Sequence, residues 1–466
     1  MILILEILIF CALGICYFSA PHFISAPYLS VVIILVCTSY ALLYVNNATK
    51  AFLRHTFLSN TNIFLLLFFV VCFQFPIDYI LGNNVNFSRY FYSYRTINLS
   101  TTFSALCFVA FVIGFIISYE KHNPMHYLSN KKIEERRIPT SPVLVLMYIL
   151  WVGFLIFLNI DYVNGGHGSV LINSISVACF GYFWRLNVIY LAIVLYNMRD
   201  KSRVSFMQAV KIHTKTYWIV VLLSALLFFM AHNRVYTFYI LTPVLFYLIS
   251  VTRIKTKPVY SLMVLGGAAV FLTLFKVFGL ERMFSEGSLN ASDYVMYDRF
   301  SSFSPFTSEL AASVYSDSTL FYIWYTKGIV MPGSTLVIGV LRTFSGLVPL
   351  FFSITGLSVS TYQSASYVTA QMVSDYGLGS SVSSDLLVSL GFCGAIIVMF
   401  LFGRIASYGD RVLFGGNKNY KGILIGLCLS SQIVFVSRAT LSDVISSILF
   451  VLLFSYIYLN VYKIKA

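Results

Sequence analysis

Apolar runs long enough to cross a bilayer recur along this chain, and their recurrence excludes most folds before any single residue is considered. About 20 residues make a span. Such runs occur near 2–19, 28–45, 62–81, 101–118, 142–160, 170–197, 217–231, 235–252, 258–279, 385–403, 422–437 and 441–460. With 59% of residues apolar, 10% charged and a mean hydropathy of +0.83, no soluble core could hide this surface. The expected fold class is all-α, a polytopic membrane protein of about twelve transmembrane helices solvated by membrane lipids. The run from Met1 to Ser19 lacks a basic start and carries Glu6, so it is expected to be a retained first helix rather than a cleaved signal.

Orientation follows from the loops. Lys50 and Arg54, the group from Lys121 to Arg137, the group from Arg199 to Lys215, Arg253 to Lys257, Arg404 to Lys421 and the tail lysines Lys463 and Lys465 fall on alternate connections. They hold most of the chain's 31 basic residues, so the positive-inside rule puts this side, and both termini, in the cytoplasm. Counted this way, the net charge of +14 is a topology signal and not a nucleic-acid footprint. No nucleic-acid partner is expected.

One stretch departs from the pattern. Between helices 1–9 (residues 1–279) and helices 10–12 (residues 385–466), residues 280–384 carry interleaved acids, bases and tyrosines. This is the expected large periplasmic loop domain of short and interfacial or re-entrant helices. The pieces 309–331 and Ser334 to Gly356 are apolar enough to enter the bilayer. If the second crossed alone, the Arg404 to Lys421 loop would face outward, so both are expected to lie in the interface or dip and return.

Basic residues are scarce on the outer side, which makes those present informative. Arg234 sits in a tight turn between two apolar runs, Arg438 in another, and Arg342 interrupts the dipping piece. Burying a guanidinium is costly, so an arginine at the lip of a bundle calls for an anionic partner or a function. Converging arginines suit a diphosphate, whose oxygens accept bidentate, charge-assisted bonds. Arg282 and Arg299 are interleaved with Glu281, Glu286, Asp293 and Asp298. A general base could come from any of these acids, Asp293 and Asp298 among them, or from His232, two residues before Arg234. The same acids also serve as salt-bridged loop residues, and a lone histidine at a helix end also serves as a cap. Asp385, in Ser383-Ser384-Asp385, is expected to cap the tenth span. Arg185 lies within the sixth span.

Other classes lack support. There is no P-loop and no HExxH or GxSxG in a fitting context. The first outer loop, Ser19 to Pro27, has no acid, unlike lipid-sugar glycosyltransferases with an Asp/Glu pair after the first span. The eight cysteines all fall in apolar runs without ligand spacing. No metal and no cofactor is expected.

The layout of about twelve spans, termini inside and one dominant outer loop resembles the O-antigen polymerase family (Wzy type) of bacterial polysaccharide assembly. His232-Asn233-Arg234 opening an apolar run is similar to the family's outer-face arginine. Ser381-Val382-Ser383-Ser384-Asp385 leading to Gly391-Phe392-Cys393-Gly394 and Gly403, and Ser437-Arg438 before the last span, are similar to family segments. The family's spaced Arg…Gly pattern does not start at Arg234, Arg282, Arg299 or Arg342.

The resemblance implies an inner-membrane glycosyltransferase acting at the periplasmic face. It would transfer a glycan from undecaprenyl diphosphate onto a second lipid-linked repeat unit, with a chain-length regulator as partner. Arg234, Arg342 and Arg438 would hold the diphosphates, Arg282 and Arg299 would assist, and His232, Asp293 or Asp298 would be the base. A lipid-linked oligosaccharide flippase and an O-antigen ligase remain the alternative readings.

Overall fold

The computed structural model describes residues 1–46, 49, 52–53, 56–83, 94–121, 137–158, 174–199, 204–230, 234–258, 261, 263, 266–267, 302, 304, 307–371, 379–415 and 418–463. Among these the regular structure is helical. In chain order the helices are α1 (Ile2–Phe18), α2 (Ala26–Val45), α3 (Asn60–Ile80), α4 (Tyr94–Lys121), α5 (Ser141–Ile156), α6 (Ser174–Met198), α7 (Phe206–Lys211), α8 (Lys215–Met230) and α9 (Arg234–Thr252). Short helices follow: α10 (Ser308–Ala311), α11 (Ser313–Lys327), α12 (Ser334–Leu341), α13 (Leu347–Thr355), α14 (Val359–Tyr362) and α15 (Ser364–Gln371). The chain closes with α16 (Val382–Gly415), α17 (Tyr420–Val436) and α18 (Ser442–Val461). Seven helices among the described residues are long and apolar enough to cross a membrane: α2, α3, α4, α6, α9, α16 and α18. The apolar helices α1, α5, α8 and α17 are shorter. The expected span at 258–279 lies almost wholly outside the described residues.

α4 and α16 form the centre of the bundle. A Cβ placed on Gly114 of α4 would sit 2.0 Å from the Phe400 carbonyl oxygen, and one on Gly403 of α16 would sit 2.1 Å from that of Phe111. Each helix thus presents a glycine to the other's backbone, the small-residue contact by which helices approach closely in a membrane. Aromatic rings fill the space around the crossing, with Phe64 4.6 Å from Phe111 and 5.1 Å from Phe402 between ring centres.

Hydrogen bonds between helix termini define the two ends of the bundle. At one end, the Arg199 guanidinium donates to the carbonyls of Val412 and Leu413 at 2.8 and 2.7 Å, and Ser118 donates to the carbonyl of Arg404. Asp410 caps α3 there, accepting from the backbone N–H groups of Asn60 and Thr61 at 3.0 and 2.8 Å and from both side chains. Here the sequence reading needs correction. Arg404, Asp410 and Arg411 belong to the last turns of α16 and not to a loop, because nothing between Gly403 and Gly415 breaks the helix. Glu6 is buried in α1 and accepts from the Ser39 hydroxyl of α2 at 2.6 Å. At the opposite end, Asn98 of α4 donates to the carbonyls of Pro21 and Phe23, and Gln74 of α3 donates to Ser302 and the Ser304 carbonyl. The short helices α10–α15 gather at this second end.

Candidate active site

The site begins with a broken helix. Gly391 has φ +74° and ψ 179°, which a residue with a side chain rarely adopts, and it interrupts the i→i−4 ladder of α16. The preceding carbonyls find partners in the loop before α12: Met331 N–H donates to Val388 at 3.2 Å and Gly333 N–H to Ser389 at 2.8 Å. The Ser389 hydroxyl accepts from Thr335 N–H at 3.1 Å. Irregular backbone is thereby satisfied within the protein, the condition for placing it near a bilayer. The same bonds tie the start of α12 to the first half of α16.

The apolar piece Ser334 to Gly356 does not form one span. It divides into α12 and α13, separated by Arg342 to Gly346, with Gly346 at φ +95°. α12 carries Arg342 at its C-terminal cap to the start of α18. There the guanidinium donates to the Asp443 carboxylate, to the Ser442 hydroxyl at 3.3 Å and to the Gln363 side-chain carbonyl at 3.3 Å. Burial opposes the charge of Arg342, and the adjacent Asp443 more than offsets this, so its pKa lies above the ordinary arginine value.

These contacts enclose a cavity of about 250 Å³. Its wall includes Arg342 and Arg438, the carboxylates Asp385 and Asp443, and Ser334, Thr335, Ser364, Ser380, Thr440 and Ser442. The serines and threonines mark the first turns of four helices, α12, α15, α16 and α18, or lie just before them. Their partial positive ends add to the two guanidinium groups. The backbone of Gly379 lies against Arg438, such that a Cβ there would be 2.9 Å from Nε. Arg185 lies behind the wall, inside α6. It donates to the Ser446 hydroxyl at 3.1 Å and to the Arg342 carbonyl at 3.5 Å, with the Trp184 and Phe450 rings each 5.4 Å away. The cavity lies at the end of the bundle away from Arg199, Arg404 and Arg411.

Two of the expected arginines, Arg342 and Arg438, therefore meet at one site although 96 residues of sequence separate them. Arg234 opens α9, and Phe238 one turn later packs on Phe435 near the end of α17, with ring centres 5.4 Å apart. The Arg234 side chain itself, and His232, Arg282, Asp293, Asp298 and Arg299, lie outside the described residues. Asp385 differs from expectation. It does not cap α16: the Ser381 hydroxyl accepts from Ser384 N–H there, while Asp385 accepts from Ser364 at 2.6 Å and from Thr335 at 2.8 Å. Asp443 is absent from the sequence-based list. Its one visible signal is its place in the first turn of the last span, five residues after Arg438.

What the arrangement can do follows from its groups. Two guanidiniums can hold an anion with several oxygens, and two carboxylates can accept hydroxyl groups. Among the described residues no cluster of His, Cys, Asp and Glu could hold a metal ion.

A family model, O-antigen polysaccharide polymerase Wzy, matches residues 1–465. No curated protein and no solved structure matches the chain. The family match spans both halves of the cavity wall, from Arg342 to Asp443, and the chain belongs to the O-antigen polysaccharide polymerase (Wzy) family.

Proposed function

We propose that this chain polymerises undecaprenyl-diphosphate-linked oligosaccharide repeat units at the periplasmic face of the inner membrane. A hydroxyl of the acceptor's terminal sugar attacks the anomeric carbon of the donor glycan, and undecaprenyl diphosphate leaves. The observation that carries this reading is the shared cavity of Arg342 and Arg438, at the end of the bundle opposite Arg199, Arg404 and Arg411. Family membership supplies the reaction class, repeat-unit polymerisation. No nucleotide is needed, because the diphosphate is itself the leaving group. Negative charge grows on it as the glycosidic bond breaks, and guanidiniums already in place stabilise that charge without reorganisation. Arg234, Arg282 and Arg299 are the further arginines proposed for the two diphosphates. Both substrates are anchored in membrane lipids, so binding at one surface aligns them. A chain-length regulator is the proposed protein partner.

The test is the lipopolysaccharide ladder of a strain lacking this gene, complemented with variants. Arg342→Ala and Arg438→Ala should each cut chain extension by on the order of 100-fold or more. A single repeat unit would then remain on the core, with the variant proteins present in the membrane at wild-type level. Normal ladders from both variants would reject the site. Bare core with lipid-linked polymer would identify a ligase, and bare core with unflipped lipid-linked units a flippase.

A further inference from the structure

The cavity contains a carboxylate that neither caps its own helix nor forms an ion pair among the described residues. We infer that Asp385 is the general base of the transfer, an assignment that rests on the polymerase reading above. Asp385 is 3% exposed and lines the same cavity as Arg342 and Arg438. Burying a carboxylate is costly unless something compensates it, and the usual duties are filled by others. Ser381 caps the helix on which Asp385 stands, and Arg342 is paired with Asp443. Among the described residues no lysine or arginine forms a salt bridge with Asp385.

Among the described residues three acids stand at or beside the cavity, and their surroundings separate them. Asp443 is engaged by the Arg342 guanidinium, which occupies its Oδ1 and ties it to α12. Asp317 is behind the wall, with Oδ1 taken by Ser381 N–H at 2.7 Å, and does not line the cavity. Among the described residues the hydrogen bonds to Asp385 come from neutral hydroxyls, Ser364 on Oδ1, Thr335 on Oδ2 and Thr440 beside them, with the Arg342 charge acting from farther off. These donors come from three separate segments and fix the carboxylate in place, as a base must be fixed. A carboxylate offers about four acceptor positions, so a further hydroxyl can bind.

In the transfer, the acceptor hydroxyl donates to Asp385 while its oxygen attacks the anomeric carbon. The new C–O bond forms as the bond from that carbon to the diphosphate oxygen breaks, and the electron pair stays with the diphosphate beside Arg342 and Arg438. The hydroxyl proton moves to Asp385 and then to water.

The experiment uses the purified full-length protein, lipid-linked repeat units extracted from a strain lacking this gene, and undecaprenyl diphosphate as binding probe. Asp385→Asn keeps the hydrogen-bonding shape and should lower the polymerisation rate by about 100-fold or more, with binding of the probe within about threefold of wild type. Asp385→Ala should be comparably slow, and added formate should recover roughly tenfold of its rate by standing in for the missing carboxylate. Asparagine variants that retain more than roughly a tenth of the wild-type rate would overturn the assignment. So would a loss of rate and probe binding together without rescue by formate, which is the mark of a structural role. If the wild-type protein neither binds the probe nor extends the repeat unit, the polymerase reading falls and Asp385 with it. If Asp385→Asn alone is active, only the base is wrong.

Discussion

Asp317 lies in the second turn of α11, outside the membrane-crossing helices, and is 2% exposed. Burial pushes its carboxyl up to about 6, against the opposing pull of the Ser381 N–H, the Ser384 and Ser381 hydroxyls and, farther off, Arg438. The unfolded chain has the ordinary, lower value, so between the two the folded state holds the proton more tightly. Stability from this group is therefore complete below about pH 4 and is lost as pH rises through about 6. The gap of about two pH units corresponds to on the order of 3 kcal/mol. Asp317→Asn should recover much of this at neutral pH, since its side-chain oxygen still accepts from Ser381 N–H. Thermal melting in detergent should show the variant more stable than wild type at pH 7.5 and the advantage shrinking toward pH 4.5. Equal melting temperatures at pH 7.5 would refute it. The single residues of the cavity were legible in the sequence to the extent that their cost was local. Arg342 and Arg438 stand out because a guanidinium interrupts apolar sequence. Asp443 does not, because an acid in the first turn of a helix is unremarkable until a partner from α12 arrives beside it. Asp385 reads as a cap because only the structure reveals that Ser381 has taken that role.

Helices α4 and α16 meet through Gly114 and Gly403, and this contact makes an element-scale prediction. Gly403→Ala would put a methyl 2.1 Å from the Phe111 oxygen, and the obstacle is backbone, which cannot rotate away. The helices must separate, at a cost of about 1–3 kcal/mol or more for overpacking. Gly181 in α6 is the control, since a Cβ there meets nothing within 4 Å. Gly181→Ala should leave melting unchanged or slightly raised, whereas Gly403→Ala should lower both the melting temperature and the folded yield in mild detergent. Similar behaviour of the two variants would show that the α4–α16 contact does not limit stability. Element existence was readable from apolar run length, and element ends were not. The run in α16 stops at Arg404, but the helix continues to Gly415 because charges end a hydropathy signal without ending a helix. Conversely, Ser334 to Gly356 has the length of a span and forms two short helices. What decides this is the cost of Arg342 in lipid, met here by Asp443, and the left-handed Gly346.

At the scale of the whole molecule, the positively charged loop ends and the cavity occupy opposite ends of one bundle. At the first end Arg199 donates to the last turn of α16 and Ser118 to the Arg404 carbonyl, with Arg411 two turns on. Arg342 and Arg438 line the cavity at the second. Basic loops are retained on the cytoplasmic side during insertion. The proposed reaction, on lipid-linked units that have already crossed the membrane, needs the cavity on the other side, and the orientation is therefore the prediction to test. Orientation can be measured without reference to activity. In a chain whose eight native cysteines are replaced, Ser358→Cys beside α14 and Lys421→Cys in the first turn of α17 each add one exposed thiol. A membrane-impermeant maleimide on intact spheroplasts should label Ser358→Cys at once and Lys421→Cys only after permeabilisation. The reverse pattern would put the cavity in the cytoplasm and remove the basis for a periplasmic reaction, whatever the two arginines hold. Equal labelling of both thiols before permeabilisation would mean that the two ends are not separated by a bilayer, contrary to the reading of α2, α3, α4, α6, α9, α16 and α18 as spans.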